Sequence, residues 1–257
     1  MWEACYFLDV KGLDFSSGDG PRGGNHTEGC GMSKQATLQE LEALLDEERL
    51  LKYQRVQAAQ GRILSLGAGA LLRLAVMEFL SGGERKKARR LTLKTLLSLT
   101  EKLPKGKSEP IRYRYGEQGK PYFENIPLYF SLSHSGSVVM LAVSEREIGA
   151  DLQEMKKTNW EKLSERFYAG EEKERLHRLF EKNPARAREE FFRLWCLKEA
   201  YGKWSGEGVT PYLAIPLLQD LKSEKNNLRE GRLSLGDQIY RYAVYQSEAA
   251  KQSKEQK

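Results

Sequence analysis

Three short segments gather the residue types that could do chemistry: Gly119-Lys120-Pro121; Phe130-Ser131-Leu132-Ser133-His134-Ser135-Gly136, running on to Gly149-Ala150-Asp151-Leu152-Gln153; and Phe192-Arg193-Leu194-Trp195-Cys196-Leu197-Lys198-Glu199-Ala200-Tyr201-Gly202-Lys203. On a strand, residues two apart share a face, so the side-chain oxygens of Asp151 and Gln153 can converge on one hard cation. The plainer alternative is that Asp151 ends a strand and caps the following turn. On a helix, residues four apart share a face, which pairs Glu199 with Lys203 one turn after Trp195. A solvated Glu-Lys pair would explain that spacing, but Phe191, Phe192, Leu194, Trp195, Leu197, Tyr201 and Trp204 surround it, so part of this helix is buried. A carboxylate and an ammonium at the edge of a buried face suit a place where a metal ion meets a phosphate. Taken singly, Gly-Lys-Pro is a turn signal and Ser-His-Ser reads as a hydrogen-bonded turn in a loop.

In their order, GKP, FSLSHSG, GADLQ and WCLKEAYGK, these segments resemble the 4'-phosphopantetheinyl transferase superfamily, and specifically its long, surfactin-synthetase-activating type. That family's pattern is GKP, a Ser-His-Ser segment, Gly-x-Asp-x-Glu, and Trp-x-x-Lys-Glu with a lysine four residues on. The likeness is densest from Gly119 to Gly208 and extends more loosely back to about Leu38. It departs from the pattern at Gln153, where the family has a second acid; an amide carbonyl can still ligate magnesium, which also keeps waters readily.

The resemblance implies an α+β fold of two pseudo-symmetric α/β lobes, with coenzyme A in the cleft between them. It makes Asp151 and Glu199, with Gln153 as the substituted third position, the ligands of Mg2+. Lys198 and Lys203 would lie near the pyrophosphate, Ser133 and His134 would contact the 3'-phosphate and its surroundings, and Lys120 the adenosine end. Arg49, Lys52 and Ser65 fall where the family grips the 3'-phosphate. Glu172 resembles a family carboxylate near the metal, with Glu171 beside it as a competitor.

The implied reaction is attack of a serine hydroxyl of an apo acyl or peptidyl carrier protein on the β-phosphate of coenzyme A, with 3',5'-ADP leaving. Glu199, Glu172 or a metal-bound water could take the serine proton, and Lys198 and Lys203 would offset charge. The alternative from another class is a non-catalytic homologue that binds coenzyme A or a carrier protein, for which Gln153 is the support. A basic nucleic-acid binder resting on Arg85 to Arg90 would need aromatic residues within that run, which has none.

With 257 residues, 40% of them hydrophobic, the chain can bury one sizeable core or two small ones in contact. Its formal charge of +6 favours an anionic ligand or partner. Cys5, Cys30 and Cys196 lie far apart without metal spacing, which indicates neither a disulfide framework nor a zinc site. No segment reads as a leader or a membrane span, so a cytoplasmic protein without nucleic-acid or membrane partners is expected, as a monomer that completes its own cleft.

The elements that must position these residues follow from periodicity. A strand is expected from Trp2 to Val10, then a Gly-rich loop over 11–36, then helices from Thr37, as N-cap, and over Gln57 to Leu80. Ser81 to Arg90 reads as a solvated loop and helix start, followed by a helix over Leu91 to Leu103. Tyr113 to Phe130 reads as a loop and hairpin, with strands at Val138 to Val143 and Ile148 to Leu152. Helices are expected over Trp160 to Tyr168, Glu171 to Phe180 and Glu189 to Trp204. Strands at Leu213 to Leu218 and Gln238 to Tyr245 precede a disordered tail, 248–257. The lobes are placed at 1–149 and 150–247.

Overall fold

The computed structural model describes residues 3–11, 13, 34–82, 86–102, 110–168, 170–217 and 226–247. Most of the Gly-rich stretch, Arg85 and the tail lie outside the described residues. The chain is α+β. Its first half contains strand β1 (Glu3–Asp9), helices α1 (Lys34–Glu42), α2 (Glu47–Arg55) and α3 (Ala59–Leu80), strand β2 (Lys86–Thr92) and helix α4 (Leu93–Lys102). The short hairpin β3 (Tyr113–Tyr115) and β4 (Pro121–Phe123) leads into β5 (Tyr129–Ser135) and β6 (Val138–Ser144). The second half runs β7 (Gly149–Glu154), α5 (Trp160–Phe167), α6 (Gly170–Lys182), α7 (Pro184–Ser205), a single 3-10 turn (Thr210–Tyr212), β8 (Asn226–Leu235) and β9 (Gln238–Ser247).

Alternation along the strands decides how these pack. In β1, Tyr6 and Leu8 point to one side and Cys5 and Phe7 to the other, and all are buried because both sides are covered. β6 does the same with Val139 and Leu141 against Val138 and Met140. One side meets α3 through Leu66, Ala70, Leu71 and Leu74. The other meets the second sheet, where Ala150, Leu152, Tyr240 and Val244 complete a separate cluster. Beyond that sheet, Ala243 and Tyr245 pack against Phe191, Leu194, Ala200 and Trp204 of α7. The result is four layers: helices, the sheet β2-β1-β6-β5, the sheet β7-β9-β8, and helices.

The two sheets repeat one topology. In each, a first strand pairs antiparallel with the last strand, which pairs antiparallel with the one before it: β1-β6-β5 and β7-β9-β8. In each half a 22-residue helix, α3 or α7, covers the outer face.

Several expectations are corrected. Thr37 lies inside α1, which is already helical at Lys34. The basic run is strand rather than helix start: β2 joins β1 in parallel, Leu91 is buried between the exposed Arg90 and Thr92, and Arg89 is neutralised by Glu78 at 2.7 Å. Ser-His-Ser is the end of strand β5, not a loop. Leu213 to Leu217 forms no strand, because its main-chain groups turn inward to buried charges; the second sheet instead takes the edge strand β8, whose polar sequence hid it. α3 is apolar and long enough to qualify as a span, contrary to expectation, but 72% of its apolar window is buried in the core.

Candidate active site between the two sheets

β5 and β7 are the facing edges of the two sheets, and they meet through side chains. Phe130 and Leu132 of β5 point into the first core, so Ser131, Ser133 and Ser135 point the other way. Their hydroxyl oxygens accept the main-chain N–H groups of Ala150 at 2.9 Å, Leu152 at 3.2 Å and Glu154 at 2.9 Å. The Ser133 hydroxyl also donates to Asp151 Oδ1 at 2.7 Å. Asp151 is 2% exposed.

α7 brings the second set of groups. Asn183 caps its start, Pro184 occupies the first turn, and Gly206 ends it in the left-handed conformation. It crosses β7 at Gly149, where an added Cβ would lie 1.9 Å from the Ala200 carbonyl oxygen and 2.4 Å from the Trp204 nitrogen. Only glycine allows this approach, and it places Asp151, two residues on and on the same face of β7, beside the polar stripe of α7. Lys203 Nζ donates to Asp151 Oδ1 at 2.7 Å. Burial raises the Glu199 carboxyl above its ordinary value, the charge of Asp151 raises it further, and Lys203 opposes both. Gln153 Oε1 sits 3.5 Å from the Ser135 hydroxyl.

Next to this carboxylate pair is a cleft of about 330 Å³ lined by Arg49, Lys52, Lys120 and Lys203 together with Gly119 and Phe130. Arg49 lies over the rings of Tyr113 and Phe130, at 5.2 and 5.8 Å. Burial and then the neighbouring Arg49 charge lower the Lys52 pKa. His134, exposed at the end of β5, is lowered by desolvation and by Lys203, against the pull of Asp151. Mutual repulsion of this kind marks a place prepared for an anion. Lys120 bridges the halves, donating to Glu147 at 3.0 Å and to the carbonyls of Ile148 and Trp204.

The expected site residues therefore divide. Asp151, Gln153, Ser133, His134, Glu199 and Lys203 come together, and Arg49, Lys52 and Lys120 line the adjoining cleft. Ser65, on α3, is not among the cleft-lining residues. Lys198 is 1% exposed, pairs with Glu172 at 2.7 Å and donates to the carbonyls of Tyr212 and Ile215 at 3.0 and 2.5 Å. Glu172, 2% exposed, also accepts the Leu217 N–H. These two thus form a buried brace between α6, α7 and the segment after it. The sequence reading missed the parts of Ser131 and Ser135; the signal was the period of two in Ser-x-Ser-x-Ser.

The donor set fits a hard divalent cation. Asp151 Oδ2 is buried without a nitrogen or oxygen donor, with the Cys196 thiol against the same carboxylate, Glu199 adds a second carboxylate, and Gln153 offers a neutral oxygen from the same strand face. Among the described residues no three His, Cys, Asp or Glu side chains cluster, so a cation here would complete its shell with water, the amide or a ligand phosphate.

A family model described as the 4'-phosphopantetheinyl transferase superfamily matches residues 147–252. A 4'-phosphopantetheinyl transferase of Bacillus subtilis is 33% identical over 108 residues, which is 42% of this chain and 45% of that protein. A second Bacillus subtilis protein of that description, ffp, is 32% identical over 155 residues, 55% of this chain and 65% of its own length. The 4'-phosphopantetheinyl transferase AcpT of Salmonella typhimurium is 32% identical over 165 residues, 62% of this chain and 79% of that protein. With other curated relatives the chain spans about half of their length or less, 42% and 53% in two examples.

Proposed function

The chain belongs to the 4'-phosphopantetheinyl transferase superfamily, and from that premise we propose that it transfers the 4'-phosphopantetheine group of coenzyme A to a serine hydroxyl of an apo acyl or peptidyl carrier protein. The observation that carries this reading is the double position of Lys203, which lines the cationic cleft and binds Asp151 of the carboxylate pair. A ligand bearing several phosphates and a divalent cation is what such a junction attracts.

Arg49, Lys52 and His134 would bind the nucleotide phosphate, and Lys120 would hold the adenosine end. Asp151, Glu199 and Gln153 would hold Mg2+, which when bound supplies charge compensation and orientation for the pyrophosphate. Lys203 would offset charge on the group in transfer. The carrier serine oxygen bonds to the phosphorus that bears pantetheine, the pyrophosphate bridge breaks, and 3',5'-ADP leaves with the electron pair. Of the two carboxylates expected as base, Glu172 is committed to Lys198, so the reading assigns the serine proton to Glu199, which stands beside Asp151 and Lys203. Lys198 and Glu172 then act as a brace for the turn that carries Glu199.

The repeated topology within one chain, which supplies both walls of the cleft, favours the long, surfactin-synthetase-activating type acting as a monomer. The non-catalytic alternative rests on Gln153 alone. Intact-mass analysis of an apo carrier protein incubated with the chain, coenzyme A and Mg2+ separates the two. A gain of one phosphopantetheine that EDTA abolishes is expected; binding of coenzyme A with no transfer to several unrelated carriers would establish the alternative.

A further inference from the structure

We infer that Ser133 is a positioning residue of the cation site: its hydroxyl fixes the rotation of the Asp151 carboxylate while tying the two sheets together. The inference rests on the reading of Asp151 as a cation-binding carboxylate and goes beyond it, because it assigns a serine of the facing sheet to the orientation of that carboxylate.

A serine hydroxyl has one proton and two lone pairs. Here the oxygen accepts the Leu152 N–H at 3.2 Å, and the proton is 2.7 Å from Asp151 Oδ1. Oδ1 also accepts from Lys203 at 2.7 Å, while Oδ2 is buried without a nitrogen or oxygen donor and the Cys196 thiol lies against the same carboxylate. One oxygen is thus held by two donors from two different elements, which sets the rotation of the carboxylate and so the direction of its second oxygen. Ser131 and Ser135 make the same main-chain contacts with β7, but Ser131 touches no carboxylate. Ser131 is therefore an internal control: its removal weakens the seam without freeing Asp151.

The test uses the full chain and Mn2+ as a paramagnetic probe, with free Mn2+ measured by electron paramagnetic resonance. For Ser133→Ala, Mn2+ affinity is expected to fall about tenfold or more, the scale typical of residues that orient a metal ligand. Ser131→Ala should lower the melting temperature comparably yet leave Mn2+ affinity at the parent's level, because the partners that orient Asp151 stay in place. Ser133→Thr, which restores a hydroxyl, should recover most of the affinity. In transfer assays the apparent KM for Mg2+ should rise in Ser133→Ala. Unchanged Mn2+ affinity in Ser133→Ala, or an equal loss in Ser131→Ala, would overturn the inference alone. Failure of the parent chain to bind Mn2+ would overturn it together with the functional reading beneath it.

Discussion

At the scale of single residues, the Glu199 carboxylate is in conflict with its surroundings. Burial and the neighbouring Asp151 both oppose its charge, and Lys203 relieves them only in part. The folded state holds the Glu199 proton to higher pH than the unfolded chain does. Stability is therefore lost as pH rises from the ordinary carboxylate value, about 4.3, through the raised folded value. A divalent cation reverses the balance by favouring the charged form. Glu199→Gln is accordingly expected to melt a few degrees higher than the parent at neutral pH without divalent cations, and to gain nothing when Mg2+ is added, as followed by calorimetry. A lower melting temperature for this variant under metal-free conditions would refute the account. Part of this was legible in the sequence, since the four-residue spacing put Glu199 and Lys203 on one face. What the sequence could not show is that Lys203 reaches to Asp151 on another element, or that Lys198, adjacent to Glu199, is buried with Glu172. Such partners are fixed by packing between segments far apart in the chain.

At the scale of elements, β7 and α7 are joined at glycine. The Ala200 carbonyl and the Trp204 main chain occupy the space where a side chain at position 149 would begin, and both belong to a helix anchored by ring contacts of Tyr201 and Trp204 with Tyr245. Gly149→Ala must push β7 and α7 apart. A loss of about 3 kcal/mol or more is expected in denaturant unfolding, the upper end of what overpacking costs. Transfer activity should fall further than stability alone explains, because Asp151 moves with the strand. Wild-type-like unfolding would show that the helix yields instead. Long periodic elements such as β6 and α7 were readable because their side chains alternate or recur without interruption. β2 was misread because its period of two is carried by charged residues, of which Arg89 is satisfied by Glu78 from α3. β8 was missed because an edge strand needs few apolar residues; among those described, Leu233 is its buried one.

At the scale of the whole molecule, neither half is closed without the other. The second sheet turns Ala150, Leu152, Leu233, Tyr240 and Val244 toward the first, and the N–H groups of Ala150, Leu152 and Glu154 donate to serines of β5. A fragment spanning 147–247, close to the stretch matched by the family model, would expose that apolar face and leave those donors to solvent. It is expected to aggregate, or to lack a cooperative melting transition, in size-exclusion and calorimetric measurements, whereas co-expression with 1–146 should rescue it. A soluble, cooperatively folding fragment would contradict this. The hydroxyl contacts along β5 also bear on how such a cleft can change over generations. Peptide groups are common to every sequence, so a seam built from them has one fixed gauge. A seam built from three serine side chains has a width written in three codons, and each can be altered singly to reset the opening between the sheets while the strands on either side remain as they are.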